Sequence, residues 1–255
     1  MTTSDGMAEV LRSLRPGSGG DPARVSTRAL DVAGVSVSVF PRSVRGAHGT
    51  PAPEPLWCFP DLSLRFEELQ YTLGEGPGLD AARIGVPVLE PDLDRVRADR
   101  WPALLPAAQL LGVHGVCCFP LALGGARLGM LTLLCDGQRT LSDEQLADAK
   151  TLAAALTATL LNRRDPAGQN GAGDDGALWP TAGLHRAVVH QATGMISIQL
   201  GTTLEEALVR LRAFAYSSDR SLGDVAEDVV ARRLRFDAIL DDDGYGPHSP
   251  DGGEG

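Results

Sequence analysis

Residues 35–40 alternate, with Val35, Val37 and Val39 apolar and Ser36 and Ser38 polar. A period of two predicts a half-buried strand over Val35–Phe40. Met7–Leu14 carries a short helical pattern that RPGSGGDP ends, and Ala23–Val32 carries another. Pro41–Pro55, rich in Pro, Gly and Arg, reads as a loop, and Leu56–Phe59 as a short strand. Leu62, Phe66, Leu69 and Leu73 keep helical spacing; Gly74–Gly78 is a glycine-rich turn and Ile84–Glu90 a strand. Trp101–Leu111 is apolar and helical in pattern. Two long strands, Val113–Leu123 and Arg127–Cys135, are joined by Gly124-Gly125, a hairpin signal. Ser142 with Gln145 forms a capping box at the start of a helix that runs to Arg164, with Leu146, Ala149, Ala153, Leu156 and Leu160 on one stripe. Strands and helices that do not alternate regularly predict an antiparallel sheet with helices around it.

The pattern changes after residue 164. Asp165–Pro180 (DPAGQNGAGDDGALWP) has three acids, six Gly or Pro residues and little apolar period, the composition of a linker. Three amphipathic helices follow. The first, Leu184–Gln199, places Leu184, Val188, Ala192, Met195 and Ile196 on one side. The second, Leu204–Tyr216, has Thr203 and Glu206 as a capping box and Leu204, Ala207, Leu208, Leu211, Phe214 and Ala215 as its stripe. The third starts at Ser221, with Leu222, Val225, Ala226, Val229, Val230 and Leu234 at helical spacing. The fold class is therefore α+β, an antiparallel-sheet domain followed by an all-α three-helix bundle. The domain map is a flexible start over 1–20, a first domain over 21–164, a linker over 165–180, a second domain over 181–240 and a disordered acidic tail over 241–255.

Charge sharpens this division. The net charge of −10 opposes a nucleic-acid partner if it is spread evenly. It is not: residues 1–164 carry 18 acids and 16 bases, 181–240 seven of each, and the linker and tail eight acids and no base. The absence of an apolar leader and of a long apolar span predicts a cytoplasmic, non-membrane protein.

Chemistry is sparse. There is no phosphate loop, nucleophile elbow or HExxH pair, and His185 and His190 lie five apart, off the zinc-pair spacing. Cys58, Cys117, Cys118 and Cys135 form no CxxC pair; adjacent Cys117 and Cys118 point to opposite faces of a strand, and all four read as small buried hydrophobes. Glu67-Glu68 and Glu205-Glu206 read as solvated helix faces. No catalytic residue, metal site or cofactor is expected.

Two segments resemble known families. LQYTLGEGPGLDAARIGVPVLEPDLD (Leu69–Asp94), RWP (Arg100–Pro102) and LGVHGVCCFPLALGGARLGMLTLL (Leu111–Leu134) resemble the GAF domains of actinobacterial regulators, over about residues 25–164. Gly78 stands where that pattern often has Cys. AVVHQATGM (Ala187–Met195), LEEALVRLRAFA (Leu204–Ala215) and SSDRSLGDVAEDVV (Ser217–Val230) resemble ANTAR domains, with Thr193 where Lys or Arg is common.

The resemblance implies a regulator, not an enzyme. A GAF-type domain would sense a signal through an unidentified small-molecule ligand, and an ANTAR-type domain would bind RNA hairpins in leader transcripts and promote antitermination. The RNA-binding residues it points to are Arg186, His190, Thr193 and Gly194 on the first helix of the bundle, and Arg220 and Ser221 at the turn into the third. A homodimer is expected from the Leu146–Leu160 stripe. The competing reading is a non-enzymatic dimeric interaction module whose ANTAR-type half has lost RNA binding.

Overall fold

A computed structural model describes residues 5–15, 18, 20–40, 53–137, 140–164 and 186–236. The expected linker and tail, the loop over 41–52 and Leu184 lie outside the described residues. The chain divides into two units, 1–185 and 186–255.

The first unit contains helices α1 (Asp5–Ser13) and α2 (Pro22–Ala29), strands β1 (Gly34–Val39) and β2 (Glu54–Phe59), and helices α3 (Asp61–Leu73) and α4 (Pro77–Ile84). Strand β3 (Val88–Glu90), helix α5 (Leu104–Leu111), strands β4 (Gly115–Leu123) and β5 (Ala126–Cys135) and helix α6 (Asp143–Arg164) complete it. The strands form one sheet in the order β2-β1-β5-β4-β3, every neighbouring pair antiparallel. Gly124 and Gly125 join Leu123 to its partner Ala126, as the hairpin signal requires. Ser142 and Gln145 exchange both bonds of the capping box, at 2.9 and 3.1 Å, and the Gln145 amide also donates to the Leu30 carbonyl at 2.8 Å.

Alternation along the strands sends side chains into two cores. Val35, Val37, Trp57, Cys117, Phe119, Leu131, Leu133 and Cys135 face α1, α2 and α6, and meet Met7, Val10, Leu152 and Leu156. Cys118, Met130 and Leu134 face the other way and pack with Phe66, Ala81, Trp101 and Leu104 of the α3–α5 layer. Cys117 and Cys118 thus fall on opposite faces, as strand geometry demands.

Several expectations change. Residues 5–13 are a helix with Met7 and Val10 fully buried, where a flexible start is expected; two apolar side chains against the sheet hold it. Pro77–Ile84 is a helix that the glycine-rich signal conceals: Pro77 occupies its first turn, where a missing N–H costs nothing. The strand expected over Ile84–Glu90 shrinks to Val88–Glu90, because Gly85 closes α4 in the left-handed region and Pro87 lacks a ladder donor. Strand β1 is buried on both faces. Its serines are satisfied by Glu67, which is only 5% exposed: Ser36 Oγ donates to Oε1 at 2.7 Å and Ser38 Oγ to Oε2 at 3.2 Å. Glu67 is therefore not on a solvated face, whereas Glu205 and Glu206 are exposed. The α6 stripe is not spare surface either. Leu152 and Leu156 are core residues and Leu146 and Leu160 pack against the same core, which removes the observation behind the expected dimer.

The second unit contains α7 (Ala187–Leu200), α8 (Leu204–Ser217) and α9 (Leu222–Val230), each packed on the other two. Thr203 and Glu206 form the full capping box of α8, and Ser221 caps α9 by accepting from the Asp224 N–H at 3.0 Å.

Candidate nucleic-acid interface

In α7 the buried stripe is Val189, Ala192, Thr193 and Ile196, spaced i, i+3, i+4, i+7. This is rotated from the expected stripe, because Thr193 behaves as an inward residue. Its hydroxyl donates to the Val189 carbonyl at 2.7 Å, so it enters the core without an unpaired polar atom. Thr193 is 6% exposed and cannot lie on an outer RNA-facing surface. Arg186 is 2% exposed, packed at the start of α7 with its carbonyl accepting the His190 N–H at 3.0 Å. The structure thus removes two of the six sequence candidates from the surface.

His190 and Gly194 remain on the open side. Ala187, His190, Gln191 and Ile198 are exposed, and Gly194 lies between them, partly exposed. A Cβ added at Gly194 would meet no atom within 4 Å, so helix packing does not require glycine there. Ile198, at 85% exposed, is an apolar residue left outside the core.

The turn into α9 is organised differently. Asp219 takes φ +53°, a left-handed conformation that Asp tolerates better than most residues, and turns the chain toward α9. Arg220 is held within the module by the α9 helix. Its Nη2 donates to Asp228 Oδ2 at 2.6 Å, two turns along the helix. Arg232 at φ +60° bends the chain back after α9, and Arg233 Nε donates to Asp228 Oδ1 at 2.6 Å. One carboxylate therefore holds two guanidiniums, whose side chains remain 39% and 62% exposed. Those two hydrogen bonds, Arg220 first, lower the Asp228 pKa below its ordinary 3.8. A guanidinium has five N–H donors, so each arginine keeps donors for a further anion. Ser221 is spent on the cap. Asp228 and Arg233 were not legible as site residues; their only sequence signal is that Asp228 lies eight residues after Arg220 and five before Arg233.

In the first unit, the motif that carries the GAF resemblance is an internal lock. Gln70 Oε1 accepts the Gly78 N–H at 2.8 Å, and a side chain at Gly76 (φ +138°) or Gly78 would strike the Gln70 carboxamide, at 2.5 and 2.9 Å. Glu75 Oε1 accepts the N–H groups of Ala103 and Leu104, both at 2.7 Å, and so caps α5 from a distant turn. Arg100 pairs with Glu90 and Asp80, stacks on the Trp101 ring at 4.3 Å, and Trp101 Nε1 donates to Asp80 at 3.2 Å. These residues hold α3, α4 and α5 together. Among the described residues no cluster of three His, Cys, Asp or Glu side chains could hold a metal ion, and no helix is long and apolar enough to cross a membrane.

The molecule is thus an α+β unit with a two-sided antiparallel sheet, followed by a three-helix module with an arginine-bearing turn. Residues 181–230 match the family model of the ANTAR domain. No curated protein matches the chain. Solved structures similar to it include the GAF domain of a phosphoenolpyruvate-protein phosphotransferase from Acinetobacter. That match has 11% identity and a TM-score of 0.44, and covers 62% of this chain and 92% of that one. The GAF domain/HD domain protein from Geobacter sulfurreducens matches at 14% identity and a TM-score of 0.39, with 64% and 96% covered. A LuxR family transcription factor dependent on N-acylhomoserine lactone, CepR2 from Burkholderia cenocepacia, matches at 20% identity and a TM-score of 0.43, with 64% and 95% covered.

Proposed function

We propose that this protein is a cytoplasmic, non-enzymatic regulator whose first unit is a GAF-type sensor and whose second unit binds leader-RNA hairpins to promote antitermination. The observation that carries the reading is the Arg220–Asp228–Arg233 arrangement, of which Arg220 and Asp228 lie within the segment that matches the ANTAR family model and Arg233 just after it. Two guanidiniums fixed on one carboxylate are preorganised for phosphate oxygens, because their side-chain entropy is already spent. Structured RNA is recognised through phosphates and 2′-hydroxyls and through splayed loop bases, and the open α7 face with His190 and Gly194 is shaped for close approach of a backbone. Dimerisation enters this reading only through Lys150, Ala154, Ala158 and Asn162, which are exposed along α6 among the described residues.

One observation favours the alternative, a protein-interaction module. Residues 186–236 carry seven arginines against six acids; one of those arginines is buried, and Asp228 neutralises part of two more. Crosslinking the protein in cells and sequencing the attached RNA decides between the two. The regulator reading expects enrichment of leader hairpins; recovery of RNA no richer in hairpins than the whole transcriptome sinks it.

A further inference from the structure

We propose that Cys117 and Cys135 are a redox-responsive dithiol that closes to a disulfide on exposure to a hydroperoxide. Of the four cysteines, these two share a sheet face. Cys118 points to the opposite core, where its Sγ lies 3.7 Å from Thr132 Oγ1. Cys58 pairs in register with Ser36, so it too belongs to that opposite face. The Cys117 and Cys135 sulfurs are 3.8 Å apart and share a hydrogen bond.

The sheet register explains the approach. Cys117 lies opposite Leu133, and Cys135 opposite Gly115, so the two thiols are diagonal neighbours on adjacent strands. Diagonal side chains ordinarily stand too far apart to bridge. Gly115 has no side chain, and a Cβ there would come within 3.2 Å of the Cys135 Cβ. The Pro91 carbonyl lies 2.2 Å from that Cβ position, and the 3.8 Å between the sulfurs shows that the two thiols lean toward each other.

The two sulfurs are not equivalent. The hydrogen bond with Cys117 holds the Cys135 thiol below its ordinary pKa. The same bond, followed by burial, pushes Cys117 up. Cys135 also ends its strand, followed by Asp136 and Gly137. It is the nucleophile. Its thiolate attacks one peroxide oxygen, the O–O bond breaks, and hydroxide (or alkoxide) leaves with the electron pair, giving a sulfenic acid. The Cys117 sulfur then attacks the Cys135 sulfur; the S–S bond forms, the sulfenic S–O bond breaks and water leaves with the Cys117 proton. Both sulfurs are oxidised by one electron each, and the peroxide is reduced.

Closure shortens 3.8 Å to about 2.05 Å across a diagonal, which strains the bond and keeps it reducible by thiols. The pair packs in the core built with Ala149, Leu152, Ala153 and Leu156 of α6, the helix that leads in sequence toward the second unit.

The test uses the full chain, folded and reduced, treated with excess hydrogen peroxide and digested with trypsin without reductant. The inference expects two of the four thiols to be lost and peptide 101–127, which holds Cys117 and Cys118, to be joined to peptide 128–139, which holds Cys135, two hydrogens lighter than their sum. Dithiothreitol restores both thiols. Cys118→Ser retains the link, while Cys117→Ser and the smaller-risk Cys117→Ala abolish it. The proposal is overturned by folded protein that keeps all four thiols, by Cys135 carried to sulfinic acid without a link, or by a link that survives Cys117→Ala. The readout concerns the first unit alone, so it stands or falls independently of RNA binding.

Discussion

Gly194 sits inside a helix with nothing near its missing Cβ, and glycine there costs about 1 kcal/mol relative to alanine. Gly194→Ala should therefore raise the stability of the second unit by about 0.5–1 kcal/mol, seen as a higher thermal midpoint, while weakening hairpin binding if the α7 face meets RNA. A variant that is both stabilised and binds as before would remove Gly194 from the interface. Asp228 makes a prediction about acid. Its folded pKa lies below 3.8, so its pairing with Arg220 and Arg233 contributes stability that is fully present above that value and is lost as the pH falls through the lowered one. In acid unfolding followed by circular dichroism, the margin of the parent over Asp228→Asn should be constant above pH 3.8 and shrink below it. A margin that grows on acidification would contradict the pairing. Thr193→Lys, attractive from sequence because it restores a family charge, would instead place an ammonium in the core and report on folding.

At the scale of elements, α5 starts at Leu104 with no side chain of its own as cap, and Glu75 supplies the acceptor from 28 residues away. Glu75→Ala should cost about 1 kcal/mol in thermal unfolding, the ordinary value of a lost cap. An unchanged midpoint would show that water replaces the carboxylate freely. Elements with local signals were legible: the Ser142–Gln145 and Thr203–Glu206 boxes, the Gly124-Gly125 hairpin and most of the α8 and α9 stripes follow from spacing alone, although Leu204 of the expected α8 stripe is 50% exposed and Leu234 falls beyond the end of α9 at Val230. What escaped depends on partners distant in sequence. Glu67 reads as solvated until β1 brings two serines to it, 29 and 31 residues away. Helix α4 hides behind glycines that serve Gln70. Thr193 counts as polar until its hydroxyl is bonded within its own helix.

For the whole molecule, the chain divides into units 1–185 and 186–255, and the acid-rich, Gly/Pro-rich segment 165–180 precedes that division in sequence. Limited proteolysis should cut first within 165–180 or beyond 241, before the tight β4–β5 hairpin at Gly124-Gly125. Early cleavage at that hairpin, with 165–180 intact, would contradict the two-unit organisation. The candidate site was legible only in part. The α9 turn is found because it carries family-like residues, whereas the pairing of Arg220 with Asp228 two turns along the helix is not legible from them.

On the proposed reading, contact between the arginine-bearing turn of the second unit and RNA phosphates supports binding. It is tested most directly by fluorescence anisotropy on a labelled leader hairpin recovered by crosslinking, with the parent chain and Arg220→Ala titrated at stepped salt concentrations. The account predicts that log K falls linearly with log salt for the parent, and that Arg220→Ala binds more weakly with a slope reduced by about one. A parent chain that binds the hairpin no better than an unstructured RNA of equal length, or an Arg220→Ala variant with unchanged affinity and slope, would contradict it.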